Sequence, residues 1–363
     1  MSAALFFDPA CDRPYSTQTR EETALGGTEA TVTRIADALG ARVMQHNRTV
    51  AAGRYLPPGS AGDVGHLVVL RDPRPVRRLA ASFPGARVYL WLHDLTRPGS
   101  KRGRRLAAAA GALAELAVTI VCVSDFQRRQ VEAVLQRARA GPRVRAVTIY
   151  NPVDAGVASL GPAVDRNKLV FFSSPNKGLA FTVDAFAGAR RVIPELRLSV
   201  GSPGYKNPRR AGLAAEGRLA GVEWLGALPH ARILAEVRTA LCVFYPNFVL
   251  PETFGLVLAE AQAVGTPVLT HDCGAVREIL ADRSQILPVT RGARNYERIA
   301  GLLPSGARRH LAPGADRLGV FAPYVERLLA LRAGARPTPI DDPRFDLTAV
   351  AQRWRALLSG EWF

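Results

Sequence analysis

The chain is poor in lysine and short of acidic residues. Of its 48 basic residues only Lys101, Lys168, Lys177 and Lys206 are lysines, and 31 acidic residues leave a net charge of +17. Abundant Ala, Gly and Pro beside so much arginine point to coding bias, yet bias leaves the sign of the imbalance unexplained. Such a surface attracts phosphates, anionic headgroups or nucleic acid. Residues 1–160 hold 22 basic and 13 acidic side chains and the remainder 26 and 18, so a basic tail is not the source. Cysteine is sparse too. Cys11, Cys122, Cys242 and Cys273 form no CxxC pair and have no histidine at zinc-finger spacing, so they read as reduced, structural thiols. No long apolar run is present. The weakly polar stretch Leu106 to Val123 carries Glu115 and reads as a helix and then a buried strand, not a membrane span. Met1 to Phe7 is too short and uncharged for a signal peptide, and a soluble, cytoplasmic protein is expected.

What is present is a folded composition, 48% hydrophobic and 22% charged. At 363 residues the chain exceeds the roughly 250–300 that one core supports, which predicts two domains. Strand-like and helix-like patterns alternate throughout, as in parallel α/β architecture. Strands are expected at Ala3–Asp8, Arg42–His46, Leu67–Arg71, Arg87–Leu92, Thr119–Val123 and Val147–Tyr150. Helices are expected from Leu25 to Leu39 and from Gln127 to Gln136. The stretch from Ala155 is rich in Gly, Pro and small residues. A second series then follows at Lys168–Phe172, Leu196–Val200, Val222–Leu225, Ala240–Tyr245 and Pro267–Thr270. Beyond it the pattern is less regular until Asp346, which can cap a last helix, Leu347 to Leu358, with Trp354 on its apolar side. These readings divide the chain into a first domain at 1–155, a linker at 156–167, a second domain at 168–340, and a C-terminal helix at 341–363 that can cross back to the first domain. In such sheets ligands bind beyond the carboxyl ends of the strands, so the loops just after strands matter most.

The most informative segment runs from Tyr245 to Glu260, from the end of a strand into a helix. Glu252 falls in the loop or at the helix start and Glu260 about two turns along. Eight residues at helical rise part them by roughly 12 Å. A carboxylate pair acting on one bond sits about 5–9.5 Å apart. The longer spacing suits two carboxylates gripping hydroxyls at opposite ends of an extended ligand. Between them, amides of Phe254, Gly255 and Leu256 lie at a helix N-terminus, which favours anions, and Gly255 permits close backbone approach. A molecule with hydroxyls at both ends and phosphates between them is a nucleotide diphosphate sugar. A plain capped helix start with acidic residues would read the same way.

The run Pro251-Glu-Thr-Phe-Gly and Glu260-Ala-Gln-Ala-Val-Gly-Thr-Pro-Val268 closely resembles the E-x7-E signature of the family-four retaining glycosyltransferases of the GT-B fold. Gly26-Gly27-Thr28-Glu29 is similar to that family's N-terminal glycine-rich loop. Trp91 to Asp94 and Val123 to Gln127 resemble its mid-domain strand ends, Asn151-Pro-Val-Asp154 the end of its first domain, Asn176-Lys-Gly-Leu179 its donor-phosphate loop, and Leu225-Gly226 its nucleotide-base region. The resemblance covers most of the chain. It implies two Rossmann-like domains with parallel sheets facing across a cleft. It also implies transfer of a hexose-type sugar, with retention, from a UDP- or GDP-linked donor to a glycan, lipid-linked or small-molecule acceptor, in envelope or surface polysaccharide synthesis. Glu252 would bond hydroxyls of the sugar and Glu260 the ribose. Amides of Phe254 to Leu256 would hold the sugar or the diphosphate, and Lys177 would neutralise the departing diphosphate. His93 would line the cleft near the reacting carbon, with Asp94 orienting its ring, and Gly26 and Gly27 would turn amides toward the diphosphate or acceptor. Neither a metal nor a separate cofactor is implied; the nucleotide sugar is the substrate.

The sequence departs from that family at one point. Where an arginine usually follows the strand, Phe172-Ser173-Ser174-Pro175 stands. Either hydroxyls of Ser173 or Ser174 contact phosphate, or Arg209 or Arg210 reaches in. Two basic clusters, Arg71, Arg74, Arg77 and Arg78 and then Arg97, Lys101, Arg102, Arg104 and Arg105, suit either an anionic membrane surface, giving a peripheral protein, or a solvated basic face. A nucleotide-sugar epimerase would bind the same donor without an acceptor. Nucleic-acid binding predicts aromatics among the basic residues; only Phe83 and Tyr89 stand near, so nucleic acid is not an expected partner.

Overall fold

The computed structural model describes residues 3–153, 163–202, 220–303, 308–317 and 319–361. Seven parallel strands form a first sheet: β1 (Ala4–Asp8), β2 (Arg42–Gln45), β3 (Tyr55–Leu56), β4 (His66–Leu70), β5 (Arg87–Leu92), β6 (Thr119–Cys122) and β7 (Ala146–Thr148), in the order β3-β2-β1-β4-β5-β6-β7. Six parallel strands form a second: β8 (Asp165–Phe172), β9 (Arg197–Gly201), β10 (Val222–Gly226), β11 (Ala240–Tyr245), β12 (Val268–His271) and β13 (Ile286–Leu287), in the order β10-β9-β8-β11-β12-β13. Strands such as His66–Leu70 and Ala240–Tyr245 are buried along their whole length, as parallel strands covered on both faces must be. Each sheet reverses its winding once, between β1 and β4 and between β8 and β11. There the following loops turn apart and leave a crevice.

Three expectations need correction. The second series begins at Asp165, inside the stretch assigned to the linker; residues 154–162 of that stretch lie outside the described residues. The cause is pairing: Asp165 aligns with Ala240 and its carboxylate pairs with Arg197, so polar residues extend the strand at its exposed end. The two-residue strands β3 and β13 were not anticipated, being too short to leave a periodic trace. The stretch read as irregular contains the helices Arg291–Ala300, Arg308–Arg317 and Ala322–Ala333. Thr290 caps the first of them by accepting from the amide of Ala293 at 3.1 Å.

The last helix, Leu347–Ser359, starts where Asp346 accepts from the amide of Ala349 at 2.8 Å, and ends at Gly360 with φ 84°. It packs on the first sheet. Trp354, fully buried, meets Trp91 at 4.7 Å and Phe6 at 5.7 Å between ring centroids, and Arg355 donates to the carbonyl of Ala38 at 2.5 Å. On the way there Phe345 wedges between Tyr150 and Phe254, at 5.4 and 5.2 Å, joining the two units through one aromatic stack. Trp354→Ala leaves a large void beneath the crossing helix and is expected to cost about 3–5 kcal/mol. A thermal or urea denaturation of the whole chain reads this as a lowered midpoint.

Candidate functional site

The loops that matter lie at the two crevices. Lys177 follows β8 and Glu252 follows β11, adjacent strands where the second sheet reverses. His93 follows β5 and Ser124 follows β6 in the first. Lys177, Glu252 and His93, together with the start of the helix Gly27–Leu39, line a cleft of about 470 Å³ between the units, within the roughly 300–1,000 Å³ typical of small-molecule sites. Gly27, Ser173, Ser174, Lys177, His93, Glu252, Phe254, Gly255, Leu256 and Glu260 all line it. Gly26 is next to it, as the cap before the helix.

Glu252 is 1% exposed, so its carboxylate must find partners inside the protein. Lys177 Nζ donates to Oε2 at 2.6 Å and the hydroxyl of Tyr245 donates to Oε1. Burial, reinforced by the charge of Glu252, pushes the Tyr245 phenol well above its ordinary range and keeps it a donor. The backbone is held equally firmly. The Glu252 amide donates to the carbonyl of Cys273 at 3.0 Å and its carbonyl accepts from Ala275 at 2.9 Å. This approach requires Gly274, at φ 89°, since a Cβ there would lie 2.3 Å from the Glu252 carbonyl oxygen. Asn247 folds the preceding loop, accepting from the amides of Val249 and Leu250 at 3.1 and 3.2 Å.

Gly255, at φ 99°, caps the helix Leu256–Ala263, and Phe254, Gly255 and Leu256 line the cleft at this helix N-terminus. Phe254 contributes only its backbone there, because its ring belongs to the Phe345 stack. Glu260, 5% exposed, is engaged by His230 Nε2 at 2.7 Å. The two carboxylates thus have separate partners. Gly27 faces the same helix from the other side: a Cβ on it would lie 2.9 Å from Leu256 Cδ1.

His93 is buried against Trp91, with ring centroids 4.4 Å apart, and its Nε2 has no hydrogen-bond partner among the described residues. Burial, with Arg71 adding repulsion, lowers its pKa well below 6.5, so the ring is neutral. Asp94 does not orient it. Its carboxylate pairs instead with Arg102 at 2.9 Å. Of the candidates to replace the expected arginine, Ser174 Oγ donates to Asn176 Oδ1 at 2.6 Å and Ser173 Oγ lies 3.5 Å from the Tyr245 hydroxyl. Arg209 and Arg210 lie outside the described residues.

Arg71 leaves the basic surface cluster to which its position in sequence assigns it. It turns inward, paired with Glu29 at 2.5 Å and Asp8 at 3.7 Å, on the wall of a second chamber of about 310 Å³ that shares Gly27, Thr28, Asp94 and Arg102 with the first. Arg74, Arg77, Arg78, Arg97, Lys101, Arg102 and Arg104 are exposed. Sequence reasoning missed Tyr245, Thr253, His230 and Arg34. Thr253 Oγ1 donates to the carbonyl of His93 at 2.8 Å, and Ser124 Oγ donates to the carbonyl of Thr253, so the loop carrying Glu252 is stitched to the ends of β5 and β6. A charged Arg34 among Val32, Ile35 and Ala36 on the buried side of a helix was the one visible signal for these.

Among the described residues no group of three or more His, Cys, Asp or Glu side chains could hold a metal, and no helix is long and apolar enough to cross a membrane.

Residues 160–303 match the family described as glycosyl transferases group 1. Over 203 residues the chain is 30% identical to a phosphatidyl-myo-inositol mannosyltransferase of Mycobacterium leprae, across 54% of this chain and 53% of that protein. Over 173 residues it is 29% identical to a phosphatidylinositol N-acetylglucosaminyltransferase subunit of Arabidopsis thaliana, across 46% and 37%. The match therefore spans about half or less of these curated relatives' length. In fold it is similar to the Anabaena protein HepE, solved with UDP and glucose, at TM-score 0.63 and 17% identity over 99% of this chain and 100% of that one. It is similar also to a glycosyltransferase of Rickettsia africae, at TM-score 0.59 and 12% identity over 99% and 98%.

The buried, neutral His93 has a consequence for stability. Below about pH 6.5 the unfolded chain takes up a proton that the folded ring refuses, so stability falls as pH drops. Replacing His93 by Asn is expected to remove up to about 1.4 kcal/mol per pH unit of that slope. Paired denaturation curves at pH 7 and at mildly acid pH measure it.

Proposed function

We propose that the chain, whose residues 160–303 match the group 1 glycosyltransferases and whose fold is of GT-B type, is a retaining, metal-independent hexosyltransferase that uses a UDP- or GDP-linked sugar. The observation that carries this reading is the pair of buried carboxylates on either side of a helix tip, both lining one cleft. Glu260 accepts from the ribose and Glu252 from hydroxyls of the sugar, with the diphosphate lying between them at the amides of Phe254 to Leu256. Ser173 and Ser174, on the cleft wall, supply hydroxyls toward the phosphates.

Lys177 has a double task. Without donor it neutralises Glu252; with donor it meets the negative charge that grows as the bond from the anomeric carbon to the diphosphate oxygen breaks. In a cleft closed to water such a fixed cation counts for far more than in bulk solvent. The departing diphosphate takes the acceptor's proton, and the acceptor oxygen bonds to the anomeric carbon on the same face. Neutral His93 lines the first chamber next to Asp94, which lines both. The second chamber receives the acceptor, and its polar walls suit a hydroxyl-rich group. The relatives whose names specify phosphatidylinositol favour a lipid-linked acceptor. The exposed Arg97, Lys101 and Arg104 would then lie against an anionic leaflet, each contributing about 1 kcal/mol, as expected of a protein that works at the inner membrane face in envelope polysaccharide or glycolipid synthesis.

Thermal-shift titration with nucleoside diphosphates and their sugars tests the donor. A ligand at a hundredfold its Kd stabilises by about 2.7 kcal/mol, and absence of any shift across UDP, GDP and their hexoses would sink the reading. Glu260→Ala is expected to weaken nucleoside diphosphate binding about tenfold or more. Lys177→Met is expected to slow transfer by about 10²–10³-fold. Release of nucleoside diphosphate that depends on acceptor separates transfer from epimerisation. Changing Arg97, Lys101 and Arg104 to Gln is expected to reduce co-sedimentation with vesicles of acidic phospholipid by more than about tenfold; unchanged co-sedimentation removes the membrane assignment.

A further inference from the structure

Glu260 does not stand alone in the cleft. His230, the first residue of the helix His230–Thr239, presents Nε2 to Glu260 Oε1 at 2.7 Å, and its other ring nitrogen, Nδ1, lies 3.2 Å from Nη2 of Arg34. Arg34 comes from the opposite unit, on the helix Gly27–Leu39, and is 4% exposed while lining the cleft. The chemistry of the two ends dictates the middle. A guanidinium can only donate, so Nδ1 must accept; a carboxylate can only accept, so Nε2 must carry the proton. Arg34 thereby selects the one neutral tautomer of His230 that donates to Glu260. Once His230 occupies Oε1, the second carboxylate oxygen is left for a ligand.

We propose that Arg34 and His230 form an interdomain positioning relay that sets Glu260 for the ribose of the nucleotide donor, so that closing the two units and reading the nucleoside are one event. The inference rests on the donor reading above and extends it to two residues that the E-x7-E pattern does not contain. His230 and Arg34 are positioning residues here. They act through Glu260: the Arg34 contact on Nδ1 holds the ring from which Nε2 donates to the carboxylate, and that hold is lost in an open molecule with Arg34 withdrawn.

Calorimetric titration of the full chain with UDP and with GDP, on wild type and four variants, tests the relay. His230→Leu removes both contacts and is expected to weaken nucleoside diphosphate binding about tenfold or more. In His230→Gln the amide nitrogen can donate to Glu260 and the amide oxygen can accept from Arg34, so affinity is expected to recover to within about threefold of wild type. Arg34→Met, which removes the donor, is expected to fall between wild type and His230→Leu, and Arg34→Lys, which keeps a donor, to stay nearer wild type. Inorganic pyrophosphate, which lacks a ribose, is expected to bind wild type, His230→Leu and His230→Gln alike. Equal losses in His230→Leu and His230→Gln, or a matching loss for pyrophosphate, overturn the relay and indicate a merely structural histidine. If His230→Leu does not fold, the two Arg34 variants decide the matter, and equal affinity in both overturns it. Failure of the wild type itself to bind UDP or GDP instead removes the donor reading, and the relay falls with it.

Discussion

The whole arrangement turns on one buried carboxylate. Glu252 is almost completely withdrawn from water, and a charge in that position is tolerable only where it is both neutralised and hydrogen-bonded. Lys177 reaches it from the loop after β8 and Tyr245 from the end of β11. One side chain therefore draws together the two loops that diverge where the second sheet reverses. The backbone at the same residue is clamped to residues 273–275, which only a glycine at 274 permits. Its neighbour Thr253 is bonded to the ends of two strands of the first sheet. Site and domain contact are in consequence a single structure.

Charge is sorted by depth. Exposed arginines such as Arg74 and Arg77 pair with acids at the surface, where such pairs contribute little. The inward cations are few and individually placed: Lys177 on Glu252, Arg71 on Glu29 and Asp8, and Arg34 on His230. Against them stands His93, kept neutral by burial and by the nearby Arg71. The high net charge is thus mostly a property of the surface, while the cleft has near-balanced charge before any ligand enters. An anionic ligand would have to compete with Glu252 for Lys177, and that exchange is a natural way to make the lysine available only when the donor is bound.

Much of this was legible from residue order. Fully apolar strands such as Ala240–Tyr245, the helix after Gly255, the capped helix after Asp346 and the positions of Lys177 and Glu252 just past strands all follow from local periodicity and from turn and cap chemistry, which act over a few residues. The E-x7-E distance was not legible in that way, because Glu252 lies before the helix that starts at Leu256 and helical rise covers only the part from there to Glu260. Where the reading went astray, the deciding partner was remote. Asp165 joined a strand because Ala240 lay beside it, Arg71 left the surface because Glu29 and Asp8 stood within reach, and Asp94 turned to Arg102 and away from His93.

The sequence by itself determined the longer strands and the capped helices, and which loops bear acidic, basic and glycine residues, since those preferences are set by each residue and its near neighbours. Only the tertiary structure decided that Tyr245 and Lys177 share Glu252, that His230 takes Glu260, and that Arg34 reaches His230 across 196 positions of chain. Hydrogen bonds act over about 3 Å, and no sequence interval specifies which distant groups two closing sheets will bring that near.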